Sequence, residues 1–97
     1  MEKREVILER VIYVLKDGAT LSGLQLEAGT GLGPAELLPA LGLLKENHLV
    51  FVTPFLPRLG NTEEWGRTYY RATPKLIEAY DYDPNFFRKL TAPPFNV

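Results

Sequence analysis

Three glycines at alternating positions, Gly29, Gly31 and Gly33, interrupt the apolar pattern near the middle of the chain, and Pro34 follows them directly. Glycine adopts the positive backbone angles that tight turns require, and proline is favoured at the first position of a helix. The stretch therefore predicts a tight turn that leads into a helix. Its one apolar residue, Leu32, is expected to point into the core.

Two helices are predicted before this turn. Residues 2–17 carry apolar side chains at intervals of three and four, which is the spacing of an amphipathic helix. A shorter helix is expected over residues 20–28, with Thr20 or Ser22 as its N-cap. The side chains expected to face inward from this second helix are Leu21, Leu24 and Ala28.

A third helix is predicted over residues 34–47, within the stretch GPAELLPALGLLKENHLV. Pro39 lies inside it, but so close to the first turn that the loss of one amide donor is expected to matter little. Asn47 tolerates the left-handed conformation and is expected to end the helix. The inward face is expected to be formed by Leu37, Leu38, Leu41 and Leu44.

The second half of the chain favours a β-hairpin. Two segments rich in β-branched and aromatic residues flank a tip rich in Gly, Pro and polar residues, so residues 49–72 predict a hairpin with a long, mobile tip. Trp65 either anchors this tip to the body of the protein, which is favoured, or projects towards a partner. Tyr69 and Tyr70 point to opposite faces of a strand, so one of them is expected in the core.

Residues 73–97 predict a C-terminal helix and tail, with Thr73 as N-cap and Pro74 at the first position. This region carries more apolar side chains than a single helix needs, and the apolar stripe of the first helix is wide. Such a surplus predicts a homodimer interface; the alternative is that the tail folds back over its own core. The candidate interface residues are Ile7, Val11, Leu76, Ile77, Tyr80, Phe86, Phe87 and Leu90.

Composition limits the classes of function. Ninety-seven residues, 45% of them apolar, suit one domain with a single core, which we take as residues 1–97. Eleven Lys and Arg against twelve Asp and Glu leave a formal charge of −1, so no overall field attracts nucleic acid or an anionic membrane. The chain has no Cys and one His, so we predict no disulfide, no metal site and no cofactor.

Neither catalysis nor membrane insertion is indicated. No nucleophile is recognised beside a base, and no pair of poised carboxylates stands out, so the protein is predicted not to be an enzyme. Charged residues interrupt the N-terminal stretch MEKREVILERVIYVLKDG, which therefore resembles neither a signal peptide nor a membrane span. We expect a soluble, cytoplasmic protein.

The predicted order of helix, helix, tight turn, helix, β-hairpin and helix is typical of a winged helix-turn-helix. Residues 24–73 also resemble winged-helix transcription regulators of the PadR and MarR kind, through TGLGPAELLPALGLLKENHLV and the wing return WGRTYYRAT. The fold class expected is α+β and mostly helical: a three-helix core, a β-hairpin wing and a C-terminal helix.

The resemblance implies a DNA-binding transcription regulator that binds double-stranded DNA. In such proteins the third helix enters the major groove, and the wing lies along the backbone or the minor groove. Matched by position, the candidate DNA-binding residues are Ala35, Glu36, Pro39, Gly42, Lys45, Arg58 and Arg67.

The charges of this surface depart from the family pattern. Gly42 and Leu43 stand where a Lys-Arg pair is common, and the third helix has no cation before Lys45. Glu36 either accepts from a cytosine amino group or satisfies the helix N-terminus, and Arg67 either contacts phosphate or pairs with a glutamate. The alternative function is therefore a winged-helix protein–protein interaction module, which binds transcription machinery or another regulator with little or no DNA affinity.

Overall fold

A computed structural model describes residues 4–91. The first residues of the predicted N-terminal helix and the end of the predicted tail, 2–3 and 92–97, lie outside the described residues. In chain order the elements are α1 (Arg4–Leu15), β1 (Leu21–Ser22), α2 (Gly23–Thr30), α3 (Pro34–Glu46), β2 (Val50–Thr53), α4 (Thr62–Arg67), β3 (Tyr69–Ala72), α5 (Pro74–Tyr82) and α6 (Arg88–Thr91).

The three strands form one antiparallel sheet in the order β1-β3-β2. In the β2–β3 pair, Val50 lies opposite Ala72 and Thr53 lies opposite Tyr69. Side chains alternate between the two faces, so Tyr70 is fully buried while Tyr69 is exposed, and the prediction that one of the two lies in the core is confirmed. The fold is α+β and mostly helical, with the sheet packed by one face against the helices.

The second helix begins later than the sequence suggested. Ser22, not Thr20, is its N-cap: the Ser22 hydroxyl accepts from the amide of Gln25 at 3.2 Å, and the Gln25 side chain accepts from the amide of Ser22 at 2.8 Å. The shifted register turns Leu24 outward, with 62% of its surface exposed, and leaves Ala28 exposed as well. The prediction that these two side chains face inward was wrong.

The turn between α2 and α3 is shorter than the three glycines suggested, because Gly29 lies within α2. Gly31 has a φ of 74°, and its amide donates to the carbonyl of Glu27 at 2.8 Å, which ends α2. Leu32 is buried, as predicted. The turn thus positions the start of α3 against the core.

The third helix has its predicted inward face, but two details differ. His48, with a φ of 59°, adopts the left-handed conformation expected of Asn47, whose side chain instead donates to the carbonyl of Leu43 at 2.8 Å. Pro39 lies beyond the first turn, where an amide would have reached the carbonyl of Ala35, so the helix loses an internal hydrogen bond, contrary to the prediction that the missing donor would matter little. The buried inward residues are Leu37, Leu38, Leu41 and Leu44.

The C-terminal elements pack onto the same core. The Thr73 hydroxyl accepts from the amide of Leu76 at 3.3 Å and donates to the carbonyl of His48 at 2.7 Å, so the predicted cap also ties α5 to the end of α3. Phe87 is buried just before α6. Within residues 4–91, no helix is long and apolar enough to cross a membrane.

Candidate functional site

The segment that joins β2 to β3, residues 54–68, contains the short helix α4, which the prediction of a hairpin with a long, mobile tip did not include. Asn61 is the N-cap of α4, because its side chain accepts from the amide of Glu64 at 3.0 Å. The Glu64 carboxylate in turn accepts from the amide of Arg58 at 3.1 Å. We call residues 54–68 the β2–β3 segment; these hydrogen bonds hold its loop against the start of α4.

Trp65 fastens the β2–β3 segment to α2. Only 4% of its surface is exposed, and its indole nitrogen donates to Oε2 of Glu27 at 2.6 Å. The indole also lies so close to Gly23 that a Cβ atom at position 23 would be 2.6 Å from Trp65 Cε2. The expectation that Trp65 anchors this part of the chain to the body is confirmed.

The β2–β3 segment also runs along α3. A Cβ atom at Gly42 would lie 3.5 Å from Cδ2 of Leu56, so Leu56 sits over the position where the family pattern places a cation. Nearer the start of α3, the helix and the segment enclose a largely apolar groove of about 240 Å³. This groove, called the α3 groove below, is lined by Pro34, Ala35, Leu38, Arg58, Leu59, Gly60, Asn61, Thr62 and Trp65.

One stripe along α3, partly exposed, is apolar and acidic. Glu36, Pro39, Leu43 and Glu46 follow one another at intervals of three and four, so they lie on one side of the helix. This stripe contains two carboxylates and no cation. Lys45 is exposed, but it lies nine residues from Glu36, which is about two and a half turns, and therefore on the opposite side of the helix.

Glu36 has a structural role. Its Oε1 accepts from the amide of Gly33 at 3.4 Å, so it satisfies a donor at the start of α3, where a negative charge is also favoured by the helix dipole. Of the two roles considered for Glu36, the capping role is the one observed.

The two arginines predicted to hold DNA differ in their surroundings. Arg67 forms an ion pair with Glu63 one turn earlier, at 3.0 Å, and both side chains are more than two-thirds exposed. Arg58 is exposed at the rim of the α3 groove. The structure thus brings Arg58 and Ala35 to the α3 groove, while Pro39 and Lys45 are exposed on α3 outside its lining and Gly42 is overlaid by Leu56.

The residues proposed for a dimer interface are used by the chain's own core. Val11 and Leu76 are fully buried, and Ile7 and Phe87 are nearly so, which leaves them no surface for a second chain. The others pack against the same core from partly buried positions: Ile77, Tyr80, Phe86 and Leu90. The six of these residues that follow residue 73 therefore pack on the chain's own core, as the alternative of a tail folded back over the core expects, whereas Tyr82 remains exposed.

Glu27 and Leu59 were not among the residues predicted for a functional site. Glu27 lies 38 residues before the indole that it accepts from, so no local pattern marks it. Leu59 lies among Gly and Pro residues that suggested an irregular tip, although it lines the α3 groove. The one available signal was a third large apolar residue, after Phe55 and Leu56, in a short connection.

Comparisons with models of known families, with curated proteins and with solved structures find no match for this chain. Within residues 4–91, no three His, Asp or Glu side chains gather as a metal site would require. The function proposed below therefore rests on the charges of the α3 stripe and the apolar lining of the α3 groove.

Proposed function

We propose that this chain is a winged-helix interaction module, and that the α3 stripe with the α3 groove binds another protein in transcription control. The single observation that carries the proposal is the acidic, cation-free stripe of α3 beside an apolar groove. A helix that enters the major groove needs cations to neutralise phosphates, whereas the buried centre of a protein interface is apolar and poor in charge.

The winged-helix interpretation rests on two supports. From α1 to β3 the elements follow the order helix, strand, helix, helix, strand, short helix and strand, with the last strand in the middle of the sheet. Residues 24–73 resemble the PadR and MarR kind of regulator, which is why transcription machinery or another regulator is the class of partner expected. The β2–β3 segment corresponds to the wing. It packs against α2 through Trp65 and forms one wall of the α3 groove.

A quantitative affinity capture tests this proposal. Leu59 lines the groove and is 65% exposed, so Leu59→Asp places a charge in the groove without disturbing the core. Leu24→Asp is the matched control, because Leu24 is similarly exposed but lies on α2 outside the groove. A protein retained by the wild type and by Leu24→Asp, but lost with Leu59→Asp, is expected. Equal retention of that protein by the wild type and by both variants would show that the groove is not part of the interface.

A DNA-binding regulator is the second candidate function, favoured by the exposed Arg58 beside the start of α3. If duplex DNA is bound, Arg58→Ala should weaken binding about equally across sequences and flatten the salt dependence by roughly one unit of slope per lost phosphate contact. Arg67→Ala should do less, because Glu63 already neutralises that guanidinium. Fluorescence anisotropy with duplex fragments at two salt concentrations measures both, and no binding at low salt would exclude this candidate.

A further inference from the structure

The sheet has one face that no described element covers. In β2 and β3 the outward side chains are Phe51, Thr53, Tyr69 and Arg71, a set that we call the open sheet face. Phe51 lies directly opposite Arg71, and Thr53 lies directly opposite Tyr69. The four side chains thus form two neighbouring cross-strand pairs, in which the Phe51 and Tyr69 rings are diagonal to each other.

Both rings are available to a ligand. Phe51 and Tyr69 are each 48% exposed, although large aromatic side chains on a strand usually pack against something. They border a shallow depression on the surface of the sheet, to which Thr20 and Thr53 contribute hydroxyl groups. The depression therefore offers flat apolar rings beside hydrogen-bonding groups.

The charge of this face differs from that of the molecule as a whole. The formal charge of the chain is −1, yet the open sheet face holds the Arg71 cation and no carboxylate. The guanidinium carbon of Arg71 lies 5.4 Å from the centre of the Phe51 ring, a cation–π contact. The ammonium of Lys75 contacts the carbonyl of Asn47 at 3.0 Å, three residues before β2 begins.

We propose that the open sheet face binds single-stranded nucleic acid, with bases stacked on Phe51 and Tyr69 and the backbone phosphates held by Arg71. Aromatic rings on an open sheet stack unpaired bases without regard to sequence, because every base has a flat face. A duplex keeps its bases stacked on one another and cannot use the rings. This surface is separate from the α3 stripe, so the inference does not depend on the proposed function.

Variants that remove the aromatic ring but keep an apolar side chain distinguish base stacking from nonspecific apolar contact. The probe is a fluorescein-labelled oligothymidine of about ten nucleotides, a length within the range of single-strand sites, with a duplex of equal length for comparison. Tyr69→Leu and Phe51→Leu keep an apolar side chain but remove the ring, whereas Tyr69→Phe keeps the ring. Tyr82→Leu is the control, because Tyr82 is 94% exposed and lies at the end of α5.

Each Leu substitution on the sheet is expected to weaken oligothymidine binding about five-fold or more, while Tyr69→Phe and Tyr82→Leu bind like the wild type. Circular dichroism establishes that every variant is folded. Three results would overturn the proposal: no binding of the oligothymidine by the wild type, equal affinity for the duplex, or full affinity in both Leu variants. Self-association that depends on Phe51 without oligothymidine binding would also overturn it and would assign the face to protein contact.

Discussion

At the scale of single residues, Gly23 is required for the contact between α2 and the β2–β3 segment. A Cβ atom there would lie 2.6 Å from Trp65 Cε2 and 2.7 Å from the Trp65 carbonyl oxygen. We expect Gly23→Ala to lower the free energy of unfolding by about 1–3 kcal/mol, because a close-packed contact must open to admit the methyl group. Urea denaturation followed by circular dichroism measures the change.

Gly66 provides the matched control for that substitution. It lies in α4, and a Cβ atom there would meet nothing within 4 Å. Gly66→Ala is expected to leave stability unchanged or to raise it by up to about 1 kcal/mol through helix propensity. Equal effects at both positions would contradict a specific role for the Gly23–Trp65 contact.

The Tyr70 hydroxyl is buried without a hydrogen-bond partner among the described residues. A buried polar group that makes no hydrogen bond costs stability, so Tyr70→Phe should raise the free energy of unfolding by about 1–3 kcal/mol near neutral pH. The same denaturation series measures this change. Lower stability of Tyr70→Phe would show that the hydroxyl makes a favourable interaction.

The dependence of stability on alkaline pH provides an independent test of the burial of the Tyr70 hydroxyl. Burial raises the pKa of its phenol well above the ordinary range, because the charged form is poorly solvated. Unfolded tyrosine ionises near pH 10, so the folded state loses stability as the pH rises above about 10 towards the folded pKa. Stability measured across this range should fall less steeply for Tyr70→Phe than for the wild type; parallel curves would contradict the assignment.

At the scale of elements, periodicity predicted those helices whose apolar faces are continuous. The inward leucines of α3 and the Thr73-Pro74 start of α5 were correctly placed. The second helix was misplaced because Thr20 and Ser22 are both acceptable caps, and only the Gln25 side chain decides between them. The short helix α4 was missed because six residues carry too little periodicity, and its order depends on Trp65 meeting a distant part of the chain.

Pro39 makes α3 less stable than the same helix would be with alanine at this position. It lies in the helix interior, where proline is about 3 kcal/mol less favourable than alanine, partly offset by its restriction of the unfolded chain. Because Pro39 is exposed, Pro39→Ala should raise the free energy of unfolding by about 2 kcal/mol, measured by urea denaturation. Pro34→Ala, at the first position of α3, recovers no helical hydrogen bond and should change little. Similar effects of the two substitutions would contradict this explanation.

At the scale of the whole molecule, the sequence indicated the candidate site only in part. It located α3 and the unusual scarcity of cations on it, since both can be read from consecutive residues. It did not indicate the α3 groove, because that surface exists only when residues 58–62 lie beside Pro34 and Leu38. Nor could the sequence decide between a dimer interface and a folded-back tail, because the packing of Leu76 and Phe87 into the chain's own core cannot be read from a count of apolar residues.

The burial of those side chains predicts the mass of the particle in solution. Because Val11 and Leu76 are enclosed within one chain, we expect static light scattering at tens of micromolar to give the mass of a monomer, about 11.0 kDa. A mass of twice that value would contradict the expectation. A dimer interface would then have to use apolar side chains that remain exposed, such as Phe55 and Leu59.

The position of Trp65 also has an optical consequence. It is the only tryptophan of the chain, it lines the α3 groove, and its indole nitrogen is bonded to the Glu27 carboxylate. Indole emission responds to the polarity and the charges around the ring, so a molecule that enters the groove alters the light emitted by this one residue. The protein therefore carries an intrinsic fluorophore at the surface where binding is proposed, and titrations of that surface require no label.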